Sequence, residues 1–491
     1  MPPSSTTTDL CWKSAAELGE LVRSRKIRSR DLLEHFLSRA EELNPAINAI
    51  VVWRLEAARK AADVADEMVA SGAALGPLHG VPMTVKESYD VAGTPSTFGN
   101  PDFAGNIASS DSAVVQMLSA AGAIVYGKTN VPYALGDFQT YNSIYGTTRN
   151  PWDTSRTPGG SSGGSAAALA AGLTPLEMGS DIGGSLRNPA HFCGVYAHKP
   201  THGIVNSRGH APRGVVSPAD IAVCGPLART AEDLALAMNL VAGPREFQSP
   251  GWTLSLPKAR QTTLADFRVA LWPDEAASPV DACVTDCLEQ VGRTLSKLGV
   301  RVSDTARPDL DVRTQHDIYM QLLRAVTTAG RPDGEFEEAK ELVPRLDPED
   351  RSHRAYYLRG MIQSHRSWMR ANEARNQLRL RWRRFFDEFD VLLCPASPVA
   401  AFPIDESVDK ADRLLMVNGV AQPYMYSQLF WAGLTGACYL PSTVAPIGPT
   451  PAGLPVGMQI VGAEYADNTC IEFARLLAAA TKGFVAPPMY A

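Results

Sequence analysis

Hydrophobic positions along the chain follow two periods that alternate. Between residues 14 and 43, Leu18, Leu21 and Val22 recur at helical spacing, a break falls at Arg28-Ser29, and Leu32, Leu33, Phe36 and Leu37 resume the period. This predicts helix, turn, helix. Val81-Pro82-Met83-Thr84-Val85-Lys86 is short, apolar and partly β-branched and reads as a strand. Ala123-Ile124-Val125-Tyr126-Gly127 reads the same way, after the amphipathic stretch Ser112 to Ala121. Near the C-terminus, Gly453 to Gly462 reads as a turn and a buried strand. Alternating helix and strand patterns imply an α/β architecture. Residues 316–390 are long, charged and helical, with Pro344 and Pro348 as interruptions, and are expected to be a peripheral helical region shaping one side of the molecule. The chain shows no internal repeat.

Composition narrows the function classes. A chain of 491 residues with 45% hydrophobic and 20% charged residues can bury a large core, as a globular enzyme does. The net charge of −6 disfavours nucleic acid as a partner. The basic run from Arg379 to Arg384 is followed by Asp387 and Glu388 and reads as a solvated helix face. No apolar run approaches the roughly 20 residues that span a bilayer, so no membrane is expected. Residues 1–8 carry neither a basic nor an apolar region; they are expected to be a flexible N-terminus rather than a secretory signal, with residues 9–491 forming the folded domain. Cys283 and Cys287 stand four apart, but no second pair or nearby histidine completes a zinc site. His191, His198, His202 and His210 read as ordinary loop residues. A reduced cytoplasmic protein with mostly buried thiols, no metal and no cofactor is the expectation.

Two glycine-serine loops carry the candidate chemistry. Gly159-Gly160-Ser161-Ser162-Gly163-Gly164-Ser165 feeds an alanine-rich helix ending at Gly172, and Gly179-Ser180-Asp181-Ile182-Gly183-Gly184-Ser185 follows as a second loop. Successive backbone N–H groups in such turns can form an anion nest, and in acyl transfer the nest holds an oxyanion beside a nucleophilic serine. Three other readings stay open at this point. A flexible linker is disfavoured by the structured flanks. A phosphate loop lacks the lysine of the Walker pattern. A nucleophile elbow fits Gly-x-Ser-x-Gly but lacks a preceding strand, and the last histidine, His365, falls in the helical region. Without histidine, a neutral lysine could activate the serine, because burial lowers a lysine pKa by several units. Lys86 ends an apolar strand that would carry it inward; a solvated surface lysine is the alternative. Glu87 offers it a partner, although neighbours on a strand point to opposite faces.

The two loops, ending in Ser185-Leu186-Arg187, resemble the signature of the amidase signature family of serine hydrolases, with Ser161 and Ser185 24 positions apart as that pattern requires. Leu43 to Val51, Gly225 to Thr230 and Gly453 to Gly462 resemble further landmarks, so the resemblance spans nearly the whole chain. It implies a single α/β domain with a large mixed central β-sheet covered by helices. It also implies a Ser–cis-Ser–Lys triad: Ser185 as nucleophile, Ser161 as the bridging serine after a cis bond from Gly160, and Lys86 as base. The N–H groups of Ile182, Gly183, Gly184 and Ser185 would form the oxyanion hole, and Ser162, Asp181 and Arg187 would brace the loops. Three residues depart from the common pattern: Glu87 and Ser88 stand where many members carry Asp-Asn, and Cys394 where threonine is common. The implied activity is hydrolysis of a carbon–nitrogen amide bond through an acyl-enzyme. The alternative is the amidase component of an aminoacyl-tRNA amidotransferase complex.

Aromatic residues cluster at Phe138, Tyr141, Tyr145 and Trp152 and again at Tyr424, Tyr426, Phe430 and Trp431. Phe138, Tyr141, Tyr145 and Trp431 are the expected substrate pocket, with core packing as the competing reading. Such a pocket suits aryl or bulky apolar amides, with aryl esters and carbamates (urethanes) as further substrates. The expected partner is thus a small-molecule amide, ester or carbamate, with a homodimer left open.

Overall fold

The computed structural model describes residues 10–490; the segment expected to be flexible, residues 1–8, lies outside the described residues. Three strands form a small side sheet: β1 (Ile50–Trp53), β2 (Pro82–Lys86) and β3 (Ile124–Thr129), ordered β1-β3-β2, with β2 parallel and β1 antiparallel to β3. Eight more form the central sheet: β4 (Leu176–Asp181), β5 (Tyr196–Lys199), β6 (Val223–Ala228), β7 (Arg268–Leu271), β8 (Arg301–Ser303), β9 (Val391–Pro395), β10 (Ser442–Pro449) and β11 (Pro455–Val461). Their order is β8-β7-β9-β11-β10-β5-β6-β4. Strand β7 runs parallel to β8 and β9, while the remaining neighbours are antiparallel, so the sheet is mixed.

Strands β9 and β11 are largely apolar because both of their faces are covered. Every residue of β9 and β11 is buried. Helix Asp467–Thr481 lies along β10, Arg187–Cys193 along β10 and β11, and Ala282–Lys297 along β9 and β10. The main core joins Val269, Leu271, Leu393, Met458 and Ile460 of the sheet to Trp272, Trp382 and Phe473. The predicted N-terminal helix pair is present as Ala15–Arg23 and Ser29–Ile47, and the two predicted strands are β2 and β3. Region 312–390 contains helices Val312–Thr328, Asp333–Leu342, His353–Met361 and His365–Glu388. On the last of these, Arg381, Arg383 and Arg384 are exposed, as a solvated face requires.

The second glycine-serine stretch is not a loop throughout. Gly179, Ser180 and Asp181 belong to β4, paired with Gly225, Cys224 and Val223 of β6. The absence of β-branched residues there hid the strand. Small residues are needed because the first loop packs directly upon it: a Cβ at Gly179 would lie 2.7 Å from Ser162 Oγ. The helix after the first loop likewise begins inside the glycine run, at Gly163.

Candidate active site

Strand β2 is buried along its whole length and ends at Lys86, whose side chain is fully enclosed. Its Nζ donates to Ser161 Oγ at 2.7 Å and to Ser180 Oγ at 3.0 Å. Burial lowers the Lys86 pKa to about 7, against the upward pull of Asp181, Cys224, Glu177 and Glu87. Near neutral pH a substantial fraction of Lys86 is therefore free amine, able to accept a proton from the hydroxyl it touches.

The first loop presents Ser161 after a cis Gly160–Ser161 peptide bond. The Ser162 N–H donates to the Ser185 carbonyl at 3.1 Å, which joins the two loops directly behind their serines. Ser162 Oγ also donates to the Ser180 carbonyl at 3.3 Å and accepts from the Ser180 N–H at 3.4 Å. Lys86, Ser161 and Ser185 expose 0%, 1% and 7% of their surfaces. Of the three, Ser185 is the most exposed.

Asp181 and Arg187 hold the second loop in shape. The Asp181 carboxylate accepts from the N–H groups of Gly184 at 2.8 Å and Leu186 at 3.0 Å, and from the Arg187 guanidinium. Burial opposes ionisation of Asp181, but the Arg187 charge and these hydrogen bonds outweigh it and bring the pKa down to about 2. Arg187 also donates to the Ala432 carbonyl, Thr435 Oγ1 and Gln459 Oε1, tying the loop to helix Tyr424–Gly436 and to β11. One expectation needs correction here. The Gly184 N–H is directed inward onto Asp181 and is not free for an oxyanion. The N–H groups of Ile182, Gly183 and Ser185 make no hydrogen bond to protein among the described residues, so three of the four expected donors are available.

The three departures from the common pattern each have a structural role. Glu87 turns away from Lys86 and accepts from the N–H groups of Thr97 and Phe98 at 2.6 and 2.9 Å and from the Tyr145 hydroxyl at 3.1 Å. Ser88 Oγ meets His210 Nε2 at 2.9 Å. Cys394 is buried in β9, and burial pushes its thiol up to about 12. His210 lies in a loop, partly buried, with its ring 4.7 Å from that of Tyr89, and burial with the nearby Lys86 charge lowers it to about 3. His191 and His198 are not the loop residues expected: they lie in helix Arg187–Cys193 and in β5, fully buried, bridging Gly457 and Val399 in one case and Asp467 and Thr443 in the other, because polar rings inside a core need such partners.

The aromatic residues divide. Phe138 packs against the loop, its ring 3.5 Å from where a Gly184 Cβ would sit. Tyr141 receives a hydrogen bond from Arg413 at 3.3 Å and lines a cavity of about 350 Å³ with Tyr133, Asp137 and Lys410. Trp431 does not join them. It is fully enclosed in the main core, edge-on to Trp272 and Phe430, because helix Tyr424–Gly436 is buried on every side and Trp431 faces the sheet. The same helix turns Leu429 and Ala432 towards Gly183 and Gly184. Tyr319, from helix Val312–Thr328, donates its hydroxyl to the Ile182 carbonyl at 3.1 Å. These residues and Ser180 were missed in the sequence. Only Ser180 left a signal, since it lies beside Asp181 on the opposite face of a strand.

The amidase family model matches residues 31–471. The chain belongs to the amidase family. An indoleacetamide hydrolase of Bradyrhizobium diazoefficiens is 33% identical over 483 residues, covering 94% of this chain and 86% of the relative. A glutamyl-tRNA(Gln) amidotransferase subunit from a Cyanothece species is 30% identical, covering 91% of this chain and 94% of the relative. Among solved structures, a bacterial aryl acylamidase of the amidase signature enzymes superposes with a TM-score of 0.78 at 26% identity, covering 96% of both chains. The amidase is thus an enzyme acting on carbon–nitrogen bonds. No helix among its described residues is long and apolar enough to cross a membrane.

Proposed function

We propose that this amidase hydrolyses linear amides with aryl or bulky apolar groups, using Ser185 as nucleophile, Ser161 as relay and Lys86 as base. The observation that supports it most is the 2.7 Å contact of an enclosed, partly neutral Lys86 with Ser161. Ser185 Oγ attacks the carbonyl carbon while its proton passes through Ser161 to Lys86. The oxyanion is held by the N–H groups of Ile182, Gly183 and Ser185. The proton returns by the same relay to the leaving amine, whose departure is the demanding step. Water, deprotonated by the relay, then releases the acid and regenerates Ser185. Asp181, Arg187 and Ser162 keep the loops in register throughout.

Phe138 against the Gly184 turn, with Tyr141 and Tyr145 as further candidates, favours an aromatic substrate, as do the indoleacetamide hydrolase and aryl acylamidase among the relatives. Aryl esters and carbamates present the same carbonyl to Ser185 and belong to the proposal; a carbamate leaves a carbamoyl-enzyme. No nucleic acid enters the reaction. The cysteines form no disulfide among the described residues, which suits a cytoplasmic setting. The amidotransferase relative supports a second reading, in which the chain supplies ammonia from glutamine within a complex. Comparing kcat/KM for an anilide, an aryl carbamate and glutamine separates the two: the anilide or carbamate is expected to lead, and a clear preference for glutamine would overturn the aryl reading.

A further inference from the structure

Five arginines are buried among the described residues: Arg187, Arg229, Arg324, Arg375 and Arg413. In four of them oxygen atoms answer the charge. Arg187, Arg375 and Arg413 pair with the carboxylates of Asp181, Asp220 and Asp137. Arg229 donates to the backbone carbonyls of Leu169, Thr174, Cys11 and Lys13. Arg324 has neither kind of partner. It is 7% exposed, and its one side-chain hydrogen bond among the described residues runs from Nη2 to His353 Nδ1 at 3.1 Å. An enclosed Nε without a partner is common to Arg229, Arg324, Arg375 and Arg413, so the missing counter-charge is what sets Arg324 apart. His353 does not supply it. A ring nitrogen that accepts from a guanidinium carries no proton, and burial with the Arg324 and Lys410 charges lowers His353 to about 3. Burial lowers Arg324 itself only to about 10, so it is a cation at neutral pH. A buried cation without a counter-charge destabilises a fold, and a methionine would fill the space without that cost.

Two links join Arg324 to the Ser185 loop. Tyr319, five residues earlier on helix Val312–Thr328, donates to the Ile182 carbonyl at 3.1 Å. At the helical rise, Arg324 lies roughly 7.5 Å farther along the axis. Helix His353–Met361 fixes it there, since any side chain at Gly360 would collide with Arg324. The second link is Lys410. Its Nζ donates to the Gly136 carbonyl at 2.6 Å, and it lines the cavity of about 350 Å³ together with Asp137, the neighbour of the Phe138 ring that meets Gly184. Burial lowers Lys410, Asp137 raises it, and the Arg324 charge lowers it further. The acids of this region leave the two cations uncompensated. Asp137 is taken by Arg413 and the Tyr424 hydroxyl, and Asp409 is exposed and accepts from the Ala411 N–H.

We propose that Arg324, with Lys410, binds a carboxylate, and that the substrate carries it: an amide whose reacting carbonyl lies at Ser185 and whose acid group lies at the far end of an aryl or apolar spacer. This deepens the proposed function and rests on Ser185 as the nucleophile. The guanidinium donates charge-assisted hydrogen bonds to the carboxylate, and the acid supplies the counter-charge that the fold omits. A free small carboxylate presents the same chemistry, and the test separates the two sources.

The test compares kcat/KM on matched anilides with the acid on the amine side (para-acetamidobenzoate against para-methylacetanilide) or on the acyl side (adipic acid monoanilide against hexananilide). In wild type the carboxylate member of one pair should lead by roughly tenfold or more, through KM. Arg324→Met should bring that ratio down to about one, and Arg324→Lys should keep part of it, since a charge without the planar fork remains. The ratio is unaffected by how much of a variant folds. Thermal melting with benzoate needs no turnover: benzoate should raise the Tm of wild type and not that of Arg324→Met. That shift without a preference in either pair assigns the site to a free carboxylate and overturns the substrate half of the proposal. Neither a preference nor a shift overturns the site itself. Turnover by Ser185→Ala at the wild-type rate, or no turnover of any of the four anilides by wild type, overturns the proposed function instead, while the benzoate shift still decides Arg324.

Discussion

Asp181 and Arg187 close the Ser185 loop by a two-pronged ion pair, at 3.0 and 2.8 Å, in which each side chain is 1% exposed. The pair does not touch a reacting atom. It directs the Gly184 and Leu186 N–H groups inward, so that on the proposed mechanism the oxyanion falls to the N–H groups of Ile182, Gly183 and Ser185. Replacing Asp181 by Asn removes the charge and leaves the guanidinium buried without compensation. The expected loss is about 3–5 kcal/mol in denaturant unfolding, together with loss of activity. The acid limb of stability should change as well. The Asp181 pKa is lower folded than unfolded, so its contribution is complete above roughly pH 4 and disappears as pH falls towards 2. Asp181→Asn should flatten stability across that window. An Asn variant with wild-type stability and the wild-type acid transition would show that the pair is dispensable.

Ser185→Ala, Ser161→Ala and Lys86→Ala should each lower kcat on the order of 10⁴–10⁶-fold, and the triple variant should be little worse than the most damaged single one, because the three act as a unit. Circular dichroism should be unchanged in Ser185→Ala. A fluorophosphonate should label wild type at Ser185 and leave Ser185→Ala unlabelled. Turnover by Ser185→Ala at the wild-type rate would remove the nucleophile assignment.

Only the free-amine form of Lys86 is a base. With its pKa lowered to about 7, the acid form predominates below that value and the amine above it, so kcat/KM should climb through neutral pH and level off on the alkaline side. A maximum well below neutrality would indicate a carboxylate base instead.

Sequence reading reached the chemistry further than its setting. The strand ending at Lys86 and the meeting of Lys86 with Ser161 were legible, because an apolar strand and a glycine-serine stretch are local patterns. Strand β4 was not, since Gly179-Ser180-Asp181 has loop composition and becomes a strand only through pairing with β6 and the pressure of Ser162 against it. The inward Gly184 N–H depends on where Asp181 points, which no spacing encodes. Trp431 was misplaced for a similar reason: helix Tyr424–Gly436 is apolar all round, so its sequence does not say which face meets the loop, and the face that does carries Leu429 and Ala432. Tyr319 comes from a helix more than a hundred residues away in the chain.

That face permits a final test, because Gly183 and Gly184 forbid a side chain for different reasons. At Gly184 the backbone has φ +110°, which L residues rarely adopt, and a Cβ would lie 3.1 Å from the Ala432 Cβ. At Gly183 the backbone carries no such restriction. A Cβ there would meet Leu429 Cδ2 at 2.8 Å and the Tyr319 hydroxyl at 3.2 Å. Both alanine variants should displace the Ser185 loop and cost activity on the order of 10²-fold, since a shift of about 1 Å in a catalytic group has that effect. Their rescue should differ. Leu429→Ala should restore much of the activity of Gly183→Ala, because the clash is with the end of a side chain and the Tyr319 hydroxyl needs to give by only a few tenths of an ångström. Ala432→Gly should not restore Gly184→Ala, because the strain there lies in the backbone itself. Gly105→Ala, where a Cβ meets nothing within 4 Å, is the control and should behave as wild type. Measuring kcat/KM across the five variants decides the point: rescue of Gly184→Ala by Ala432→Gly, or none of Gly183→Ala by Leu429→Ala, would reverse the assignment of which glycine is needed for its conformation and which for its size.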